Sequence, residues 1–250
     1  PESEQCITRG SSGPVFRRGA PPNRPLSPGV RQVEHGLGIF MSEEIESFAK
    51  ELKVPHLLHF TQLSNLESIL TDGLLSRDRI AGLENPAGIN DELRLDKHTN
   101  TISLSIAHPN CQMFYKYRME KGGDWCVIGV HPRVLWTRDC LFCKHNAADA
   151  RISGIPISDL SGISAFRGMY DEISGHESRS DQCLETYDPT DVQAEVLVID
   201  SIDLSDFIGV VFPSRQAKKN YSELLGDMQA KIHAKNKGYY ATRSYKRKYQ

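Results

Sequence analysis

The chain has 250 residues, 39% of them hydrophobic and 25% charged, with 30 Lys/Arg against 32 Asp/Glu for a formal net charge of −2. This is the composition of an ordinary globular protein, and it excludes a collagen-like or wholly disordered chain. No apolar run approaches the roughly 18–20 residues of a membrane-spanning helix, and a chain of this length can bury a core without disulfide staples.

The charge is unevenly placed. Residues 215–250 hold ten Lys/Arg and two Asp/Glu, a net of +8, which leaves −10 on the other 214 residues. Near-neutrality of the whole therefore does not exclude a polyanionic partner. Residues 1–40 hold six Gly and six Pro without sustained periodicity, and read as a disordered or non-native extension. Met41 reads as a natural start. Ser42-Glu43-Glu44 then caps a helix whose apolar face is Ile45, Phe48, Ala49 and Leu52, stopped by Pro55.

Residues 57–61 read as a short strand. Ser64-Asn65-Leu66-Glu67 is a capping box opening a second helix, with Gly73 at its C-terminal turn. Residues 76–100 are polar, with Gly82, Pro86 and Gly88, and read as a long loop. Residues 101–106 alternate, with Ile102, Leu104 and Ile106 on one face and Ser103 and Ser105 on the other. A helix over 111–118 and a strand over 125–131 follow; 140–163 has no clear period. Residues 174–191 read as a loop ending in Asp188-Pro189-Thr190-Asp191. The runs 194–199 and 207–212 read as buried strands, and from Ser214 onward a helix is expected with a Leu224, Leu225, Met228, Ile232 stripe. Several short strands with few helices make an α+β protein. The expected division is an extension over 1–40, a folded domain over 41–235, and a basic tail over 236–250 carrying Tyr239, Tyr240, Tyr245 and Tyr249.

The six cysteines, with no signal peptide before them, read as reduced thiols in a cytoplasmic protein. Cys140-Leu-Phe-Cys143 with His145 nearby is half of a zinc pattern without its other half. His59 and Thr61, two apart at a strand end, point to the same side just ahead of a helix N-terminus, where a polar ligand can be met; a satisfied core His and a strand-favouring Thr remain the alternative. Glu195 opens an otherwise apolar strand with Gln193 on its face. A carboxylate there is either functional or paired, with Arg94 a candidate partner. Arg94 itself, in a mixed-charge loop, has the geometry for phosphate or carboxylate. The Tyr-interleaved basic tail can neutralise phosphates and stack unpaired bases, or can simply be solvated.

Taken together, these motifs resemble the DarT family of NAD-dependent DNA ADP-ribosyltransferases. The likeness is carried by His59-Phe60-Thr61, Asn65-Leu66, Ile69-Leu70 and Gly73-Leu74-Leu75, then by an Arg-bearing loop, Met113-Phe114-Tyr115, and Gln193-Ala194-Glu195-Val196-Leu197-Val198; it spans roughly 55–215. The strand Thr101-Ile102-Ser103-Leu104-Ser105 departs from the family and resembles the serine-bearing strand of other ADP-ribosyltransferases.

The resemblance implies an α+β fold with a split, mixed β core and flanking helices around a cleft for NAD, the co-substrate, with no metal. It implies a catalytic pair Glu195 and Arg94, with Arg77 and Arg79 as rivals for the arginine. NAD would be met by His59, Phe60, Thr61, Asn65, Arg77, Ser103 and Tyr115. The acceptor, a base in single-stranded DNA, would be met by Gln193, Tyr239, Tyr240 and Arg243. A toxin is implied, countered by a macrodomain-type or other antitoxin that removes ADP-ribose, with no membrane partner. Other readings stay open on the residues: a related NAD-using enzyme acting on protein or RNA, a non-catalytic nucleic-acid-binding module, or a zinc-stabilised domain on Cys140, Cys143 and His145.

Overall fold

The computed structural model describes residues 42–81, 99–233 and 236–249. The leader over 1–40 and the loop segment carrying Arg94 lie outside the described residues. The first helix, α1 (42–51), buries Ile45, Phe48 and Ala49 as its spacing predicts.

Strand β1 (Leu57–Gln62) is central. After it come α2 (Leu66–Asp72), β2 (Leu74–Leu75), α3 (Arg77–Ile80), β3 (Thr101–Ile106), α4 (Cys111–Lys121), β4 (Trp125–Val130), α5 (Val134–Thr137) and β5 (Cys140–Cys143). The chain continues through α6 (Ala150–Ser153), α7 (Gly162–Gly168), β6 (Glu195–Ile199), β7 (Ser201–Ile202), β8 (Phe207–Phe212), α8 (Arg215–Asn220), α9 (Ser222–Leu225), β9 (Gln229–Ile232) and α10 (Arg243–Tyr249). Seven of the described strands form one sheet in the order β5-β6-β3-β1-β4-β8-β9; β2 and β7 form a separate pair. Every pairing among these strands is antiparallel except β8 with β9, so the sheet is mixed and the fold is α+β.

The sheet parts in the middle. β1 pairs with β4 along its whole length, Leu57↔Val130 to Gln62↔Trp125. It pairs with β3 only at Leu57↔Ile106 and Leu58↔Ser105. Beyond Leu58 the ladder stops, and the His59 ring reaches across instead, its Nδ1 lying 3.0 Å from the Ser103 carbonyl oxygen. A side chain standing where a ladder bond would be holds two strands apart while still satisfying the backbone. The result is a β1-β4-β8-β9 half and a β3-β6-β5 half.

Alternation sorts the core onto both faces. Leu57, Ile102, Leu104, Ile106, Ile128, Val196, Val198 and Phe212 join one large cluster with α1 and α7. On the other side, Leu58, Phe114, Trp125, Val127, Val211 and Tyr240 form a second cluster, and Leu141, Cys143, Ile152, Leu160 and Leu197 a third. Gly73 has φ +83°, and a Cβ there would stand 2.5 Å from the Ile202 carbonyl oxygen, so only glycine lets β2 lie this close to β7.

Three local expectations change. The Ser64 capping box gives way to a 3₁₀ turn at Leu63–Asn65, and Asn65 makes no cap bond because its amide donates to Thr61 Oγ1 at 3.0 Å. The helix expected from Ser214 through Ile232 ends at Leu225; Gly226 at φ +53° turns the chain, and Gln229–Ile232 becomes an edge strand parallel to β8. The basic C-terminus is ordered and docked against the sheet, with Tyr240, Ala241 and Arg243 buried.

Candidate active site

Glu195 is the first residue of β6, between β3 and β5. Val196 and Val198 enter the large core, so alternation puts Glu195 on the face of Leu197. Its carboxylate is buried but partnered: Oε2 accepts from the Ala147 backbone N–H at 3.0 Å and Oε1 from Asn146 Nδ2 at 3.1 Å. Both of these donors belong to the turn leaving β5, whose last residue, Cys143, is paired with Glu195. Two donors from one turn fix the acid's orientation and offset the cost of taking it out of water.

That turn is itself anchored. His145 Nδ1 lies 2.7 Å from Asp191 Oδ2, and both side chains are buried. The other oxygen of Asp191 accepts from the Gln193 N–H at 2.8 Å, and its carbonyl accepts from the Ala194 N–H at 3.1 Å. Asp191 thus ties the approach to β6 to the turn that holds Glu195.

β3 lies between Glu195 and the other candidate residues. The register Leu104↔Val196 places Ser105 one step on, beside Glu195, and Ser103 opposite Leu197. On β3's other edge His59 meets the Ser103 carbonyl, and Thr61 and Asn65 are bonded to each other. The parting of β1 from β3 therefore lies between the His59–Thr61–Asn65 group and the strand flanking Glu195. Arg77 begins α3, next to Ser76, which is tied by its N–H to the Asp200 carbonyl at 2.9 Å.

Several expected residues are placed elsewhere. The Phe60 ring points to the second core cluster, stacked on Phe114 with centroids 4.8 Å apart, away from the side of His59 and Thr61. Tyr115 is exposed on α4. Tyr240 is buried and its hydroxyl donates to the Trp125 carbonyl at 2.6 Å. The Tyr239 hydroxyl lies 2.7 Å from His56 Nε2. Arg243 is buried and donates to the carbonyls of Pro189 and Thr190 at 2.6 and 2.9 Å. Tyr239, Tyr240 and Arg243 are thus turned into the protein, because desolvated rings and a guanidinium need the partners they find there. Cys140 and Cys143 lie three apart on a strand and so face opposite sides, one in the large core and one in the third cluster, which removes the two thiols of a zinc site from one another. Among the described residues no group of three or more His, Cys, Asp or Glu is placed to hold a metal ion, and no helix is long and apolar enough to cross a membrane.

Asn146, Ala147, His145 and Asp191 were not legible as a site in the sequence. The signals were there in fragments: His145 beside the C-x-x-C, and Asp188-Pro189-Thr190-Asp191 two residues ahead of Gln193. Only the pairing of β5 with β6 brings them together.

Residues 58–241 match the family model of DarT, the ssDNA thymidine ADP-ribosyltransferase. Among solved structures, DarT of Thermus sp. 2.9 in complex with ADP-ribosylated ssDNA is similar at 12% identity and TM-score 0.49, over 73% of this chain and 94% of that one. The same protein in complex with NAD+ is similar at 13% identity and TM-score 0.45, over 72% of this chain and 96% of that one. DarTG of Thermosipho africanus in complex with ADP-ribose is similar at 18% identity and TM-score 0.48, over 72% of this chain and 50% of that one. A search of curated proteins gave no match. The family model, which spans well over half of the chain, carries the assignment.

Proposed function

The chain belongs to the DarT family of ssDNA thymidine ADP-ribosyltransferases, and from that premise we propose that Glu195 is its catalytic carboxylate and thymine in single-stranded DNA its acceptor. The protein is an NAD-dependent ADP-ribosyltransferase acting on single-stranded DNA. The observation that carries the residue assignment is the buried Glu195 carboxylate, held by two donors at the start of β6, next to β3, the strand that parts from β1.

NAD supplies the ADP-ribosyl group and leaves nicotinamide behind. As the bond to nicotinamide weakens, positive charge grows on the ribose, and a fixed carboxylate beside it stabilises that charge without having to reorganise. In thymidine N3 carries the one N–H of the base. Glu195 accepts that proton while N3 takes the ribose carbon, so the bond formed at N3 replaces the one lost to nicotinamide. Bases stacked in a duplex hide N3 in a pair, which favours an unpaired strand.

His59, Thr61 and Asn65 bind the nicotinamide side of NAD. They suit the fit: a ring and two amide or hydroxyl groups stand where β1 and β3 separate. Arg77, or Arg94 in the loop outside the described residues, supplies the cation for the phosphates or for polarising the base. Ser103 and Gln193 flank Glu195's strand. Of the C-terminal tyrosines, Tyr245 and Tyr249 are exposed, one helical turn apart with ring centroids 5.5 Å apart, next to exposed Lys248; these, rather than Tyr239 and Tyr240, suit unpaired bases and their phosphates. We assign the protein a toxin's role, opposed by an antitoxin that removes ADP-ribose from DNA.

The test is mass spectrometry of short single-stranded oligonucleotides after incubation with NAD. An adduct on oligonucleotides containing one thymidine, and none on the same oligonucleotides with that thymidine replaced by cytidine, is expected. Equal modification of both, or transfer to protein or RNA in preference to DNA, overturns the acceptor assignment.

A further inference from the structure

The basic C-terminal helix carries a buried arginine, Arg243, and a partly buried one, Arg247, that both touch the approach to Glu195. Arg247 makes a bidentate pair with Asp188, Nε to Oδ2 at 2.6 Å and Nη2 to Oδ1 at 2.7 Å, and Asp188 is fully buried. One turn earlier, Arg243 donates from Nη1 to the Pro189 carbonyl at 2.6 Å and from Nη2 to the Thr190 carbonyl at 2.9 Å. The two guanidiniums share a face of α10, being four residues apart. From the loop itself Arg179 donates to the Asp188 carbonyl at 2.7 Å and to Thr190 Oγ1 at 3.0 Å, and the Thr190 N–H donates to the Met169 carbonyl at 2.9 Å. Three consecutive residues, Asp188, Pro189 and Thr190, are thus clamped from the far end of the chain. The next residue is Asp191, which holds His145, and the turn after His145 supplies the Asn146 and Ala147 donors to Glu195.

We propose that α10 is a positioning element of the catalytic centre: through Arg243 and Arg247 it fixes residues 188–191, and through Asp191 and His145 it fixes the Asn146–Ala147 donors that orient Glu195. This rests on Glu195 being the catalytic carboxylate. The arginines act through Glu195 and touch neither NAD nor DNA. The positive charge that suggested a nucleic-acid tail is in part spent inside the protein: the guanidinium fork matches one carboxylate and two carbonyls in geometry that a lysine cannot reproduce. An exposed, DNA-binding arginine has no need of such partners.

The experiment measures kcat and KM for NAD on a saturating thymidine oligonucleotide for Arg247→Lys, Glu195→Gln and the double variant, with thermal midpoints alongside. Arg247→Lys keeps the charge against Asp188 but loses the two-point geometry. A misplacement of about 1 Å can cost about 10²-fold in rate, and a smaller shift correspondingly less, so kcat is expected to fall by about 10–100-fold with KM for NAD within twofold. In the Glu195→Gln background the same substitution is expected to have no further effect on the residual rate, since it acts through a group already disabled. If kcat of Arg247→Lys stays at the wild-type value, or if its effect multiplies that of Glu195→Gln in full, α10 does not position Glu195. If Glu195→Gln itself is fully active, the catalytic assignment fails first and separately. Should Arg247→Lys not fold, Arg243→Lys, which uncovers no buried carboxylate, gives the same three readings.

Discussion

At the scale of single residues the catalytic argument turns on the atoms that hold Glu195. One oxygen rests on a backbone N–H and the other on the Asn146 amide. A hydrogen bond to a charged group is worth about 1.5–3 kcal/mol, and about 1.4 kcal/mol is tenfold in rate. Asn146→Ala is therefore expected to lower kcat about tenfold or more while leaving KM for NAD nearly unchanged; a rise in KM with kcat intact would move Asn146 from the acid to the NAD site. His59 has the opposite expectation. Its ring anchors the β3 side of the parting at the Ser103 carbonyl, so His59→Ala should raise KM for NAD more than it lowers kcat, measured as initial rates across NAD concentrations.

At the scale of elements the C-terminal segment is a wall of the second core. Tyr240 sits among Phe114, Trp125, Val127 and Val211, with its hydroxyl on the Trp125 carbonyl and the Arg118 guanidinium 5.2 Å from its ring centroid. Tyr240→Ala removes a buried ring and should cost about 3–5 kcal/mol, as large-to-small aromatic changes do; Tyr240→Phe, which loses only the bond, should cost about 0.5–1.5 kcal/mol. Denaturant unfolding of the two variants separates packing from hydrogen bonding, and equal losses would contradict this ordering. This segment also marks where the sequence was hard to read. Alternation located β3, and short apolar, strand-favouring runs located β1, β4, β6 and β8. Met228 and Ile232 fitted a helical stripe, but an edge strand parallel to β8 was the better partner for backbone groups that a short helix would have left unmet. Glu195 and His59 were legible as oddities in apolar strands. Asn146 and Asp191 were not, since a long-range strand pairing and a buried His–Asp contact give no local pattern.

At the scale of the whole molecule, the division of charge that first suggested a loose basic tail is better understood as a docked segment with a pH-sensitive seam. His56 and His108 lie against it. Burial pushes His56 down to about 4 and His108 down to about 3, the charges of Lys246 and Arg247 adding to both. His56 faces the Tyr239 hydroxyl and the Ala107 carbonyl, with Lys231 as a further neighbouring charge. His108 faces the Ala241 carbonyl, with Arg243 as its further charge. Both are neutral when folded and ordinary when unfolded. Above 6.5, where a solvated imidazole titrates, they contribute no pH dependence. As pH falls below it the unfolded chain takes up protons that the folded one refuses, so stability declines until pH passes the folded values, by up to about 1.4 kcal/mol per pH unit for each histidine. The thermal midpoint should fall between pH 7 and 5, and His108→Asn should flatten that fall; an unaltered slope in the variant would remove His108 from the seam.

The central claim, that Glu195 carries ADP-ribose transfer to single-stranded DNA, is tested most directly by the rate of adduct formation on a thymidine oligonucleotide by wild type and Glu195→Gln at saturating NAD, followed by mass spectrometry. The amide keeps the size and an oxygen acceptor but neither the charge nor the proton affinity of the acid. The expected result is a rate lower by about 10²–10³ with a cooperative unfolding transition retained; adduct formation by Glu195→Gln at the wild-type rate would contradict it.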